Sequence, residues 1–166
     1  MMYESNSFSG RTKAQTTIIS YWRSKCLGGQ LPNRENIDPG VLRSHLAAIS
    51  IVEVEPTGGV RFRLAGSEVR AVFGQEMRGR RLQEFTGPVA DMWSLGLTAV
   101  LDKGAPVGGI IIRPNDRHAW LRLPLQPANG KRLVLCHDML LSKLPEDGGE
   151  CRQSGNLSNK VHVLAA

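Results

Sequence analysis

Residues 1–11 carry no periodic pattern, but from Thr12 onward apolar side chains fall at helical spacing. Ile18, Ile19, Trp22 and Cys26 form a narrow stripe, with Lys13, Gln15, Arg23 and Lys25 assigned to the other faces. Gly28-Gly29 predicts the helix end, because glycine accepts the left-handed cap conformation. Asp38-Pro39 reads as an N-cap followed by proline at the first helical position, which predicts a short helix to about His45. A strand is predicted over 48–55, a turn at Pro56-Thr57-Gly58-Gly59, and a second strand over 60–64. Plain alternation in that second strand sends Val60, Phe62 and Leu64 one way and Arg61 and Arg63 the other.

The middle of the chain is helical. Ser67–Phe73 suits one or two turns closed by Gly74, and 75–85 is basic and turn-rich. Gly87-Pro88 opens a second helix, in which Val89, Met92, Trp93, Gly96, Leu97, Val100 and Leu101 make a broad apolar stripe that Gly104 and Pro106 close. Three strands follow over 107–113, 119–125 and 132–140, divided by turns at Pro114-Asn115-Asp116 and Pro127-Ala128-Asn129-Gly130. Ala119, Leu121, Leu123 and Leu125 alternate with Trp120, Arg122 and Pro124; proline lacks a ladder donor, so this strand is expected to end or run unpaired at Pro124. Two strands, a helical middle and three strands predict an α+β fold. Its centre is one five-stranded antiparallel sheet with helices over one face and an N-terminal flanking helix. The predicted layout is a loose lead-in over 1–11, a domain over 12–141 that begins with a helix over 12–28, and a polar, glycine-rich tail over 142–166 with a small apolar patch at 161–164.

Composition narrows the class. A chain of 166 residues, 41% hydrophobic and 22% charged, can bury one ordinary core without metal or disulfide staples. Twenty-one Lys and Arg against fifteen Asp and Glu leave a charge of +6, which makes a basic nucleic-acid-binding module the alternative reading. The basic residues are scattered, however, apart from Arg61, Arg63, Arg78, Arg80 and Arg81, and no basic run is interleaved with aromatics. Cys26, Cys136 and Cys151 are widely spaced and odd in number, which is neither a zinc pattern nor a disulfide framework. The polar amino terminus lacks the apolar stretch of a signal peptide, and no segment has the apolar length to span a bilayer. A cytoplasmic protein with reduced thiols is expected.

Candidate chemistry is sparse. Cys136-His137-Asp138 invites a catalytic reading, but neighbours on a strand point to opposite faces, so Cys136 and His137 are separated. Cys136 and Asp138 share a face without an adjacent base, and the expectation is that the chain is not an enzyme. His137 shares its face with Leu133, Leu135 and Met139; it is either a satisfied core histidine or a group facing a ligand. Trp93 is either core or a stacking surface for a planar ligand. Trp22 anchors its helix on a partner subunit or on the chain's own sheet. Arg78, Arg80 and Arg81 suit a phosphate, an acidic surface or a solvated loop. The Gly-Gly pairs at 28, 58, 108 and 148 lack phosphate-loop spacing.

Five short segments in order carry a resemblance. They are Tyr21-Trp22-Arg23 with Gly28-Gly29; Pro32-Asn33-Arg34-Glu35-Asn36-Ile37-Asp38-Pro39; Phe62-Arg63-Leu64-Ala65-Gly66; Phe73-Gly74 with Gly79-Arg80; and Leu123-Pro124-Leu125. In these the chain resembles small stand-alone PAS proteins of alphaproteobacteria. The resemblance implies a cavity between sheet and helices, whose candidate lining is Phe62, Phe73, Trp93, Leu97, Ile111, Leu123, Leu135 and His137. It also implies a sensory or regulatory role in bacterial signal transduction, with a small-molecule ligand, a signalling partner such as a histidine kinase, and a homodimer formed through the N-terminal helix. It names no cofactor. The Asn-Cys-Arg-Phe motif of light-sensing relatives does not occur, so flavin photochemistry is not expected.

Overall fold

The computed structural model describes residues 8–143. Helix α1 (Lys13–Ser24) starts where the pattern begins, with the Thr12 hydroxyl accepting the Gln15 backbone N–H at 3.1 Å. Its buried residues are Gln15, Ile18, Ile19 and Trp22, an i, i+3, i+4, i+7 set. Gln15 therefore belongs to the inner stripe and not to an outer face; its polarity had masked its position.

The helix predicted from Asp38 does not form. The Asp38 carboxylate accepts the Gly40 N–H at 2.7 Å, and this local turn competes with helix initiation. The chain becomes helical only as a 3₁₀ segment over Arg43–Ala48. Then come β1 (Ile49–Val54), β2 (Val60–Ala65), α2 (Ser67–Phe73), α3 (Pro88–Lys103), β3 (Val107–Ile112), β4 (Asp116–Ala128) and β5 (Lys131–Ser142). All strand pairs are antiparallel, in the order β2-β1-β5-β4-β3.

Strand β4 does not stop at Pro124. The Pro124 carbonyl accepts the Trp22 indole N–H at 2.9 Å, and the Gln126 N–H donates to the Pro32 carbonyl at 2.9 Å. This edge of β4 faces away from β5, and β3 pairs with β4 only as far as Arg122. The proline ring thus lies where no ladder donor is required.

Both faces of the sheet are covered, which is why residues 133–138 are buried without interruption. On one face Val52, Phe62, Val134 and Cys136 pack beneath Val69 of α2 and Trp93, Leu97 and Val100 of α3. On the other Ile49, Ile51, Leu121, Leu123 and Leu135 pack beneath Ile18, Ile19 and Trp22 of α1. The flanking helix thus takes the face opposite the other two. Trp120 sits in a slot between α3 and β3, where an added Cβ on Gly96 or on Gly109 would stand 3.1 Å from its indole.

One irregularity re-aims β2. Ile51 pairs with Leu64 and Val52 with Phe62, so Arg63 is an extra residue in the ladder. Leu64 consequently shares the face of Ile51, not that of Phe62, and the simple alternation predicted for this strand fails at its end.

Candidate functional site

The eight residues nominated to line a single cavity separate onto two faces. Phe62, Trp93 and Leu97 belong to the core beneath α2 and α3, with Phe73 and Ile111 packed against it. Leu123 and Leu135 belong to the core beneath α1. His137 also faces α1, with its Nδ1 3.5 Å from the Gln15 amide nitrogen and its ring edge-on to His45 at 6.5 Å. The parity that grouped His137 with Leu133 and Leu135 holds; the helix opposite them is α1. Burial, opposed only in part by the nearby Asp138 charge, pushes the His137 imidazole down to about 4, so it is neutral near pH 7.

The face beneath α2 and α3 is filled with rings. Phe62 and Trp93 lie 5.0 Å apart between centroids, Phe62 and Phe73 5.7 Å, and Phe73 and Trp93 5.4 Å. Beside them is a buried charge cluster that sequence reasoning did not single out. Arg122 and Asp138 are both fully buried and meet through two guanidinium–carboxylate hydrogen bonds of 3.0 and 3.1 Å. His118 Nε2 lies 2.7 Å from the same carboxylate. Asp138 stands opposite Trp120 in the β4–β5 ladder, so His118 and Arg122, two residues to either side of Trp120, reach it diagonally. Burial works against ionisation of Asp138, but Arg122 and His118 outweigh it and hold the carboxyl below its usual range. The Arg122 guanidinium carbon lies 3.8 Å from the Trp93 ring centroid.

The remaining nominated chemistry is occupied structurally. Burial pushes the Cys136 thiol up to about 12, and its sulfur lies 3.9 Å from the Val134 carbonyl. Arg80 pairs with Glu84 at 2.6 Å, Arg81 with Glu55 at 3.2 Å and Arg63 with Glu53 at 2.6 Å. The backbone around Arg80 pairs with Phe62 along the outer edge of β2. Trp22 is buried against the chain's own sheet. Among the described residues no three His, Cys, Asp or Glu side chains are placed to hold a metal, and no helix is long and apolar enough to cross a membrane. Cys151, His162 and the patch at 161–164 lie outside the described residues.

An open groove of about 300 Å³ lies on the α1 side, between the 34–46 segment, the start of β1, the end of β2 and Leu135 within β5. Leu42, Leu46, Ile49, Ile51, Leu64 and Leu135 form its walls, and the exposed Arg34 stands at its rim.

A family model described as PAS domain matches residues 11–107, from the turn before α1 to the first residue of β3. The chain belongs to the PAS domain family. Comparison with curated proteins and with solved structures finds no match. Membership fits a PAS fold: the five-stranded antiparallel sheet, with α2 and α3 between its second and third strands. It also gives the chain a sensory or regulatory character, the coarse role of PAS domains in signalling. The Arg122–Asp138–His118 cluster of this PAS domain lies beyond the matched span, on its last two strands. A usable signal was present in the sequence, since Trp120 and Arg122 share a parity, as do Cys136 and Asp138. Alternation put Arg122 on the face of Trp120, but spacing along the chain does not reveal which residues of the next strand lie beside it.

Proposed function

We propose that this PAS domain is a regulatory protein of bacterial signal transduction that acts by contact with a signalling protein, a histidine kinase being the favoured partner class, and that it is not an enzyme. The observation that carries the reading is the filled face beneath α2 and α3. Phe62, Phe73 and Trp93 pack ring against ring there, and Arg122 is neutralised by Asp138. Such a face suits a domain whose helices report on contacts better than one that encloses a large planar cofactor. The non-catalytic reading is supported by the buried, protonated Cys136 thiol and the neutral His137 on the opposite face. The ion pairs of Arg63, Arg80 and Arg81 weigh against a nucleic-acid surface built from these residues. A homodimer formed through α1 would use the helix's outer side, because Ile18, Ile19 and Trp22 already meet the sheet.

The test is affinity capture with the tagged full chain from its native host, paired with deletion of its gene. A histidine kinase or related signalling protein should be enriched, and a signalling output should change on deletion. Recovery of no signalling protein, together with unchanged outputs, would end this reading.

A further inference from the structure

The groove on the α1 side is built, and its parts have separate causes. The extra residue Arg63 turns Leu64 out of the core beneath α2 and α3 and onto the groove wall, where it remains 37% exposed. Bulges commonly re-aim a side chain toward a site in this way. Gly66 then lets the end of β2 lie directly on the 3₁₀ segment, since a Cβ there would collide with the carbonyl oxygens of Leu46 and Ala47. The Gly66 N–H also donates to the Ile49 carbonyl at 2.8 Å, tying the same corner to β1. The result is a preformed apolar trough at the lower end of the size range of small-molecule sites.

Its charge is one-sided. Arg34 is exposed at the rim, and among the described residues its guanidinium has neither an ion pair nor a side-chain hydrogen bond. The basic residues on β2 and along its outer edge that do not line the groove, Arg63 and Arg81, are by contrast matched with Glu53 and Glu55. A fork of donors beside an apolar trough complements a ligand with a carboxylate head and a short hydrocarbon body.

We propose that this groove binds a small amphipathic carboxylate, its apolar body between Leu42, Leu46, Leu64 and Leu135 and its carboxylate on Arg34. The site lies across the sheet from Trp93 and Phe62 and does not depend on the signalling reading. Occupancy would brace the 34–46 segment against β1 and β2, next to the seat of α1.

The test is titration of the full chain with decanoate and, separately, with 1-decanol, followed by calorimetry and by methyl NMR. Decanoate should bind saturably at one per chain and shift the methyl signals of Ile49, Ile51 and Leu64 before those around Val100. Arg34→Ala should weaken decanoate at least tenfold and leave decanol within twofold. Leu64→Trp, with the fold checked by circular dichroism, should abolish both. No saturable binding, or first shifts around Val100, would overturn the site. Equal effects of Arg34→Ala on both probes would overturn the carboxylate assignment. Should Leu64→Trp fail to fold, the wild-type methyl shifts decide the location alone.

Discussion

At the scale of single residues, Arg122 and Asp138 decide more than any other pair. Taking a guanidinium and a carboxylate out of water is costly, and the pair is tolerable because each neutralises the other through two hydrogen bonds. Asp138→Asn leaves Arg122 charged and unmatched, and should cost about 3–5 kcal/mol in urea denaturation. Replacing both, as Arg122→Met with Asp138→Leu, should restore most of that loss; a double variant weaker than Asp138→Asn would refute the account. His137 gives a pH signature. Its folded value of about 4 lies below the ordinary 6.5, so the unfolded chain takes up the proton first as pH falls. The stability that neutral His137 contributes is therefore complete above about pH 6.5 and is lost on acidification toward 4, with a limiting slope of about 1.4 kcal/mol per pH unit. In His137→Gln this slope should disappear from denaturation midpoints measured across that window, while the loss at lower pH that comes from protonating Asp138 should remain. These residues were only partly legible in the sequence. Parity placed His137 with Leu135 correctly, but alternation cannot say which helix covers which face. Gln15 occupies a buried position by spacing but reads as outward because of its polarity, and the burial of Arg122 depends on Asp138, a partner distant in sequence.

At the scale of elements, α2 and α3 could be read closely because their stripes and end signals agree. Ser67–Phe73 and the helix opening at Pro88 both follow from periodicity and end signals alone. The failures have local physical causes. The carboxylate of Asp38 stabilises a turn with Gly40 in place of capping a helix, and the inserted Arg63 breaks the period of β2. Strands β4 and β5 extend beyond their hydrophobic runs because their polar ends continue to pair, as at Asp116 and Ser142. The contact between α3 and β4 gives a further prediction. Gly96→Ala pushes a methyl group toward the tightly held Trp120, and this overpacking should outweigh the gain of about 1 kcal/mol that alanine has over glycine within a helix, so the unfolding midpoint should fall. An unchanged unfolding midpoint would show that α3 can slide to accept it. Helix α1 is similarly anchored by burial of Trp22 and by its bond to Pro124, so Trp22→Ala should cost about 3–5 kcal/mol.

At the scale of the whole molecule, one sheet separates two differently built faces. Beneath α2 and α3 it carries a packed interior of rings and a neutralised ion pair; beneath α1 it carries a second core bordered by an open groove. The sequence grouped both sets of residues into a single cavity, because a family resemblance supplies a pocket without saying how a particular chain fills it. The central claim is that no large cofactor occupies the face beneath α2 and α3. Native mass spectrometry of the purified full chain, compared with its denatured mass and repeated on Arg34→Ala, tests that claim directly. The account predicts the bare polypeptide mass, or an excess that Arg34→Ala removes. An excess that is lost on denaturation yet fully retained by Arg34→Ala, and whose mass fits a flavin- or haem-sized group, would contradict it.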